Sequence, residues 1–115
     1  MDVENGSIYW VNMAAGNRIS DDGKRPFLAV QSDILNASRI NTVVMLGLTD
    51  RTEFSQLPGN VTLEFGEANL PQRYIVNVSQ MVTFEKKMLA ERIGSIDDTR
   101  MRQVYDGIRL VLNME

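Results

Sequence analysis

Residues Thr42–Thr49 read TVVMLGLT, the most apolar of the strand-like segments, and they predict a strand in the middle of a sheet. Towards the N-terminus, Ser7–Met13 (SIYWVNM) and Pro26–Gln31 (PFLAVQ) are rich in β-branched, aromatic and aliphatic residues, which predicts two more strands. Residues 14–24 between them carry the Gly, Asn, Ser and Asp of a polar loop that is long for a hairpin, and such loops often serve function. Ser32–Asn41 is predicted to be a turn-rich crossover into the central strand.

The strand pattern continues after a second polar loop, which is predicted at Asp50–Gly59. In Val61–Phe65 (VTLEF) apolar and polar residues alternate, so Val61, Leu63 and Phe65 are expected to face the core. Further short strands are predicted at Tyr74–Val78, Met81–Phe84 and Glu91–Gly94.

The end of the chain changes period and predicts a helix. Apolar residues recur there at three- and four-residue spacing, after Asp97 and Asp98, either of which can cap the helix N-terminus. Gly107 inside this helix costs roughly 1 kcal/mol against alanine, so a close packing contact is expected at that position. The apolar stripe consists of Met101, Val104, Tyr105, Ile108, Val111 and Leu112. Together these elements predict one domain over residues 1–115, mainly β, in which a small β-barrel carries a C-terminal α-helix.

Two residue types are missing, and their absence limits the chemistry open to the chain. Its 115 residues include no cysteine and no histidine. Disulfides, a thiol nucleophile and a cysteine-based zinc site are therefore excluded, and a catalytic zinc site is disfavoured because such sites rely on histidine. Any acid, base or transition-state contact must come from Arg, Lys, Tyr, Asp, Glu, Ser or Thr.

Charge and hydropathy point to the cytoplasm as the default location. No apolar run approaches the roughly 20 residues that span a bilayer, and the acidic start MDVEN lacks a signal-peptide pattern. The formal net charge of −3 counts against nucleic-acid binding, although a local basic cleft can form on an acidic protein.

Two segments near the N-terminus carry a resemblance to a known family. Gly6–Val11 (GSIYWV), followed after a loop by Gly23–Val30 (GKRPFLAV), resembles the opening of MazF/PemK toxins, which has a Gly-x-Ile-Tyr strand, a loop and a Gly-x-Arg-Pro strand. The turn at 32–36, Thr49 at the end of the central strand, and Ile75–Thr83 resemble later parts of the same pattern. The Gly-x-Arg-Pro element is the specific part, and the similarity covers nearly the whole chain.

The resemblance implies an SH3-like barrel that forms a homodimer and binds single-stranded RNA along the dimer face. It implies endonuclease cleavage in which the ribose 2′-OH attacks the neighbouring phosphate and leaves a cyclic phosphate and a 5′-OH, without a metal, a cofactor or a protein nucleophile. It also implies a cognate antitoxin, whose acidic disordered tail is expected to cover Arg25 and to compete with RNA.

The resemblance assigns catalysis to Arg25 and Thr49. A guanidinium offers two parallel donors to the charge that develops on the phosphate, and it cannot lose its own charge. The Thr49 hydroxyl can donate to a phosphate oxygen or position the 2′-OH. Each residue also has a plain structural interpretation, which is a surface ion pair with Asp21 or Asp22 for Arg25 and strand propensity for Thr49.

RNA contacts are expected from further polar residues of these segments. Lys24 and Arg51 are expected either to contact phosphates or to be exposed charges. Gln80 is expected either to bond a base edge or to satisfy a buried backbone group. Tyr9 is the stronger candidate for stacking a base, because a lone tryptophan in an apolar strand, Trp10 here, usually belongs to the core. The expected RNA-binding residues are Asn17, Arg18, Lys24, Ser32, Arg51 and Gln80.

Departures from the family pattern leave two alternatives open. One plasmid branch of the family uses an Arg and an Asp on the sixth strand as acid and base, where this chain has Asn77 and Ser79, and a further common arginine is Val82 here. A MazF-like scaffold without activity is therefore one alternative. The other is a non-enzymatic gyrase poison of the CcdB type, which shares the fold, although the ending Leu112–Glu115 lacks the aromatic and the glycine that such toxins use.

Overall fold

The computed structural model describes residues 2–13 and 23–115, which form six β-strands and two α-helices. Short 3₁₀ turns lie at Thr52–Gln56, Glu67–Asn69 and Lys86–Met88. The prediction of a mainly β fold with a C-terminal helix is confirmed. In chain order the elements are β1 (Ser7–Asn12), β2 (Lys24–Ala29), α1 (Asp33–Asn36), β3 (Thr42–Thr49), β4 (Val61–Leu63), β5 (Tyr74–Glu85), β6 (Leu89–Ser95) and α2 (Asp98–Val111).

The strands form one antiparallel sheet in the order β4-β5-β3-β2-β1-β6, which curls into a half-barrel. The central strand β3 lies inside the sheet between β5 and β2, as its apolar sequence predicted. Pairing of β2 with β3 sets Phe27 opposite Gly47, Leu28 opposite Leu46 and Ala29 opposite Met45.

Both faces of the sheet are buried. Neighbouring residues of a strand point to opposite faces, and they divide between two apolar clusters, with Ile8 in one and Tyr9 in the other. The first cluster also takes in Val104 of α2, so the helix covers that face of the sheet. The second cluster is built around Tyr9, Val11, Phe27, Ala29, Val43, Met45, Phe84 and Leu89.

Helix α2 begins after Asp97, whose carboxylate accepts a hydrogen bond of 2.8 Å from the backbone N–H of Arg100. Gly107 lies against the backbone of Gly59, where a Cβ atom would overlap the Gly59 carbonyl oxygen, so the predicted close contact is present. The apolar stripe ends earlier than predicted, because Val111 and Leu112 are exposed. Among residues 2–13 and 23–115, no helix is long and apolar enough to cross a membrane.

Two strand predictions differ from the structure. The segments predicted separately at Tyr74–Val78 and Met81–Phe84 form the single strand β5, because extra residues bulge out of it and interrupt the alternation without ending the strand. Phe65 was expected to face the core but is 76% exposed, because β4 ends at Leu63 and the chain turns away.

The crossover between β2 and β3 contains one helical turn, α1, in place of the turns that the sequence predicted. The Ser32 hydroxyl caps it by accepting a hydrogen bond of 3.1 Å from the N–H of Ile34. Beneath it, the buried side chains of Gln31 and Asn36 bond to each other over 2.9 Å, and Gln31 also binds the β3 backbone at Thr42 and Val44. This polar pair anchors the crossover to the start of β3.

Candidate functional site

A groove opens where β2 and β3 stop pairing. The pairs of this ladder end at Phe27 and Gly47, although β2 begins at Lys24 and β3 continues to Thr49. Continuing the same register by two residues would set Arg25 opposite Thr49. The opening is a groove of about 850 Å³. Its described lining consists of Trp10, Met13, Lys24, Arg25, Pro26, Phe27, Leu48, Thr49, Asp50, Tyr74, Gln80 and Glu91. The fold therefore brings the two expected catalytic residues to the two sides of one concave site.

Arg25 and Lys24 form the β2 side of the groove, and both side chains are exposed. The Arg25 guanidinium donates to the Lys24 carbonyl over 3.2 Å. The Lys24 ammonium lies 3.9 Å from the carboxylate of Glu91, a partly exposed pair that contributes little to stability. The Lys24 ammonium can therefore turn towards an anionic ligand at small energetic cost.

Thr49 and Asp50 form the β3 side. The Thr49 hydroxyl oxygen accepts a hydrogen bond of 3.2 Å from the backbone N–H of Arg51, which fixes the rotamer of the side chain. Because the oxygen serves as the acceptor, its proton is left to donate to a ligand. Asp50 continues the chain at the mouth of the groove with an exposed carboxylate.

Gln80 reaches the groove through a bulge in β5. Leu46 pairs with Met81 while its neighbour Gly47 pairs with Asn77, so residues 78–80 are extra on the β5 side. The Gln80 amide lies over Gly47, where any side chain would collide with it. A glycine on β3 and a bulge on β5 thus bring the Gln80 amide into the groove lining.

The positions that depart from the family pattern lie beside this bulge. The Ser79 hydroxyl donates to the Asn77 amide oxygen over 3.1 Å, so the two side chains bond to each other. Neither belongs to the described groove lining, and Val82 packs against the second apolar cluster.

Aromatic side chains form an apolar wall, and here one expectation was wrong. Tyr9 is fully buried, and its hydroxyl accepts a hydrogen bond of 3.0 Å from the N–H of Glu4, so it cannot stack on a base. Trp10 is only partly buried and lines the groove beside Tyr74 and Phe27. Strand alternation did not separate core from groove in this case, because both faces of β1 are apolar.

Two other expected RNA-binding residues, Arg51 and Ser32, lie elsewhere. Arg51 pairs with Glu53 over 2.9 Å and lies 5.4 Å from the centre of the Phe54 ring, outside the described groove lining. Ser32 caps α1, also away from it. Asn17 and Arg18 fall outside the residues that the structure describes.

The groove carries mixed charge. Its described lining holds two cations, Lys24 and Arg25, and two carboxylates, Asp50 and Glu91. The described lining residues therefore do not form a simple basic cleft. Neither carboxylate was expected as a site residue from the sequence. For Asp50, the one sequence feature that points to the site is its position directly after Thr49.

Comparison with known proteins gives consistent matches. A family model described as PemK-like, MazF-like toxin of type II toxin–antitoxin system matches residues 4–112. The chain is 35% identical over 114 residues to Endoribonuclease MazF2 of Mycobacterium bovis and to Endoribonuclease MazF6 of Mycobacterium tuberculosis, covering 99% of this chain and 100% of each relative.

Solved structures share the fold. Mycobacterium tuberculosis toxin MazF-mt6 superposes with a TM-score of 0.78 at 16% identity, covering 95% of this chain and 98% of that one. An endoribonuclease in complex with its cognate antitoxin, from a mycobacterial species, superposes with a TM-score of 0.77 at 19% identity, covering 99% and 96%.

Proposed function

This chain belongs to the family of PemK-like, MazF-like toxins of type II toxin–antitoxin systems, and on that premise we propose that it is an endoribonuclease that cuts single-stranded RNA. The cut is made in the groove between β2 and β3, and a cognate antitoxin suppresses it. The observation that carries this proposal is the placement of Arg25 and Thr49 on the two sides of one opening.

The chemistry that fits this groove is attack of a ribose 2′-OH on the adjacent phosphate. As the 2′-oxygen approaches phosphorus, negative charge grows on the non-bridging oxygens. Arg25 supplies a planar pair of donors to one side of that phosphate, and the Thr49 hydroxyl supplies a single donor from the other. The products are a 2′,3′-cyclic phosphate and a 5′-OH, and neither a metal nor a cofactor is needed.

The other groove residues divide into base and backbone contacts. Trp10 and Gln80 line the groove, where Trp10 stacks on a base and the Gln80 amide bonds a base edge. Lys24 contacts a phosphate next to the scissile one. A longer RNA reaches Arg51 beyond the groove. Asn17 and Arg18 precede β2 in the chain, and they are proposed as further RNA contacts. Ser32 acts as a helix cap and does not contact RNA.

The proposed partners follow from the same site. An acidic, disordered antitoxin segment crosses the groove, pairs with Arg25 and Lys24, and so competes with RNA. Two copies of the chain, each one domain over residues 1–115, form a homodimer in the cytoplasm and bind RNA along the shared face.

A cleavage assay in EDTA tests the proposal. The purified protein should cut a long single-stranded RNA without added metal, and polynucleotide kinase should label the new 5′ ends without prior phosphatase treatment. As a control, an oligonucleotide with one 2′-deoxy residue at the mapped cut should resist cleavage there. Strict dependence on magnesium, or 5′-phosphate ends, would contradict the mechanism. Uncut RNA would favour the inactive scaffold or the gyrase poison.

A further inference from the structure

We propose that Asp50 is the general base that removes the proton of the attacking 2′-OH, an inference that rests on the proposed function. The reaction requires a proton acceptor beside the scissile phosphate. The chain has no histidine. The Arg and Asp that one plasmid branch of the family uses as acid and base are replaced by Asn77 and Ser79 on β5, and these two side chains bond to each other outside the described groove lining.

The groove offers few proton acceptors. Its other polar side chains are the hydroxyls of Thr49 and Tyr74, the Gln80 amide and the cations, and none of these takes up a proton readily near neutral pH. The carboxylates of Asp50 and Glu91 are the remaining groups in the described lining. Within the described lining, these two are therefore the candidates for accepting the proton.

Position favours Asp50 over Glu91. Asp50 directly follows Thr49 at the end of β3, across the opening from Arg25, so it adjoins the phosphate that those two residues hold. Glu91 lies on β6, which is separated from β3 by β2 and β1. Glu91 therefore reaches the groove from the edge strand, beside Lys24, whereas Asp50 adjoins Thr49.

Interactions within the groove also favour Asp50. The Glu91 carboxylate is paired with the Lys24 ammonium at 3.9 Å. Among residues 2–13 and 23–115, no hydrogen bond or ion pair engages the Asp50 side chain, which is exposed at the groove mouth. Its lone pairs are therefore available to a ribose hydroxyl.

The step balances with solvent as the only other proton source. The 2′-OH proton passes to the Asp50 carboxylate as the bond from the 2′-oxygen to phosphorus forms. The bond from phosphorus to the 5′-oxygen breaks, and that oxygen takes a proton from a water molecule. Asp50 then releases its proton to solvent, and the enzyme is ready for another turnover.

Matched carboxylate variants test this assignment. Wild type is first mapped on a long single-stranded RNA in EDTA, and a short oligonucleotide spanning the mapped cut then serves as substrate for every variant. Asp50→Asn should lower kcat at least about 100-fold with KM within about threefold, as expected for loss of a general base. Asp50→Glu should keep more activity than Asp50→Asn. Glu91→Gln, the control, should lower kcat less than about fivefold.

The pH profile provides a readout that a purely structural role would not change. In wild type, kcat should fall on the acid side as the base takes up a proton, and Asp50→Asn should lose this acid limb. In the described lining, the other titratable groups that face the groove are Lys24, Arg25, Tyr74 and Glu91, and Glu91 is the other carboxylate among them. Glu91→Gln should therefore retain the acid limb.

The possible results separate this inference from the proposed function. If wild type cuts RNA and Asp50→Asn cuts equally fast, Asp50 is not the base while the endonuclease assignment stands. The same holds if Glu91→Gln alone shows the large loss. A wild-type protein that leaves every RNA intact overturns both. Melting temperatures of all variants should match wild type, because both side chains are exposed.

Discussion

At the scale of the residue, the proposed site depends on a guanidinium and a hydroxyl at two strand ends. Arg25 is the second residue of β2, in its exposed first part, and Thr49 is the last residue of β3. A guanidinium is useful here because it carries a fixed charge and two parallel donors, whereas the hydroxyl is a weaker donor that its own backbone contact orients. The two residues should therefore differ in how much rate their loss costs.

Replacing Arg25 should abolish most of the cleavage and leave the fold unchanged. Arg25→Ala should lower kcat about 100- to 1,000-fold, since removal of one well-placed donor to transition-state charge has that effect. Arg25→Lys should recover only part of it, because an ammonium cannot reproduce the planar fork. Thr49→Ala should lower kcat less than Arg25→Ala does, because a hydroxyl is the weaker donor. Cleavage rates at saturating RNA, paired with melting temperatures, check this.

A distant arginine provides the matched control for that series. Arg39 is exposed on the crossover before β3, outside the described groove lining, and Arg39→Ala should leave both the rate and the melting temperature near wild type. An Arg25→Ala protein that cuts RNA at the wild-type rate would show that the site is wrongly assigned. If that variant fails to fold, Arg25 is a structural residue.

At the scale of the element, small residues and a bulge bring backbones and side chains together. Gly47 leaves room for Gln80, which the β5 bulge projects over the β3 backbone. Gly107 allows α2 to approach the turn at Gly59, which itself has a φ of +85° that favours glycine. Glycines that look unfavourable for a strand or a helix thus set the distances between elements.

Gly107→Ala should destabilise the protein, although the same change in an exposed helix usually stabilises it by roughly 1 kcal/mol. The new methyl group would overlap the Gly59 carbonyl oxygen, which belongs to backbone and cannot rotate away. Overpacking of this kind costs about 1–3 kcal/mol. Thermal melts at equal protein concentration should show the loss, with Arg102→Ala on the exposed face as an unaffected control. A raised melting temperature would mean that α2 can shift outwards freely.

Glu67 links the turn before β5 to α2, and its contribution to stability should depend on pH. Its carboxylate accepts two hydrogen bonds from Arg100, at 2.7 and 3.0 Å, and the Arg100 guanidinium lowers the pKa of Glu67. The stabilisation is therefore full above the ordinary glutamate pKa of about 4.3, and it is lost as the pH falls through the lower pKa of the folded state.

The measurement for this prediction is the unfolding free energy of wild type and Glu67→Gln at several pH values. The variant should be less stable by about 1 kcal/mol at pH 7, since the pair is bidentate and only partly exposed, and the difference should shrink as the pH falls below about 4. Glu64→Gln removes the more exposed pair with Arg73 and should have a smaller effect at every pH. If the difference in unfolding free energy between wild type and Glu67→Gln stays constant with pH, Glu67 acts through packing.

At the scale of the whole molecule, the half-barrel exposes large apolar side chains that a second copy can cover. Ile34 is 84% exposed on the crossover, and Leu110 and Met114 at the end of α2 are each 58% exposed. Apolar side chains that are this exposed gain free energy when another surface covers them. This agrees with the homodimer that the proposed RNA-binding face requires.

Light scattering at micromolar concentration should report about twice the chain mass of 13.0 kDa. The melting temperature should also rise with protein concentration, because mass action stabilises an associated native state. A monomer with full cleavage activity and a concentration-independent melting temperature would contradict the shared-face arrangement.

Local patterns in the sequence determined most of the elements. The apolar run at Thr42–Thr49 became β3 with the predicted bounds, because a strand buried on both faces is apolar throughout. The three- and four-residue spacing after Asp97 became α2, because a helix buried along one face carries apolar residues at that period. The Gly-x-Arg-Pro motif at 23–26 predicted Arg25 as a site residue. The absence of histidine and cysteine by itself restricted the available acids, bases and nucleophiles to a few side-chain types.

Only the tertiary structure decided which residues share the groove. Arg25 and Thr49 are far apart in the chain, and they meet across one opening because the register of β2 and β3 aligns them and the pairing stops just before them. Trp10 on β1 and Glu91 on β6 join them from other strands, and Tyr9 is buried in the core. Alternation along a strand could not reveal this, since a curled sheet that buries both faces gives groove and core residues the same pattern.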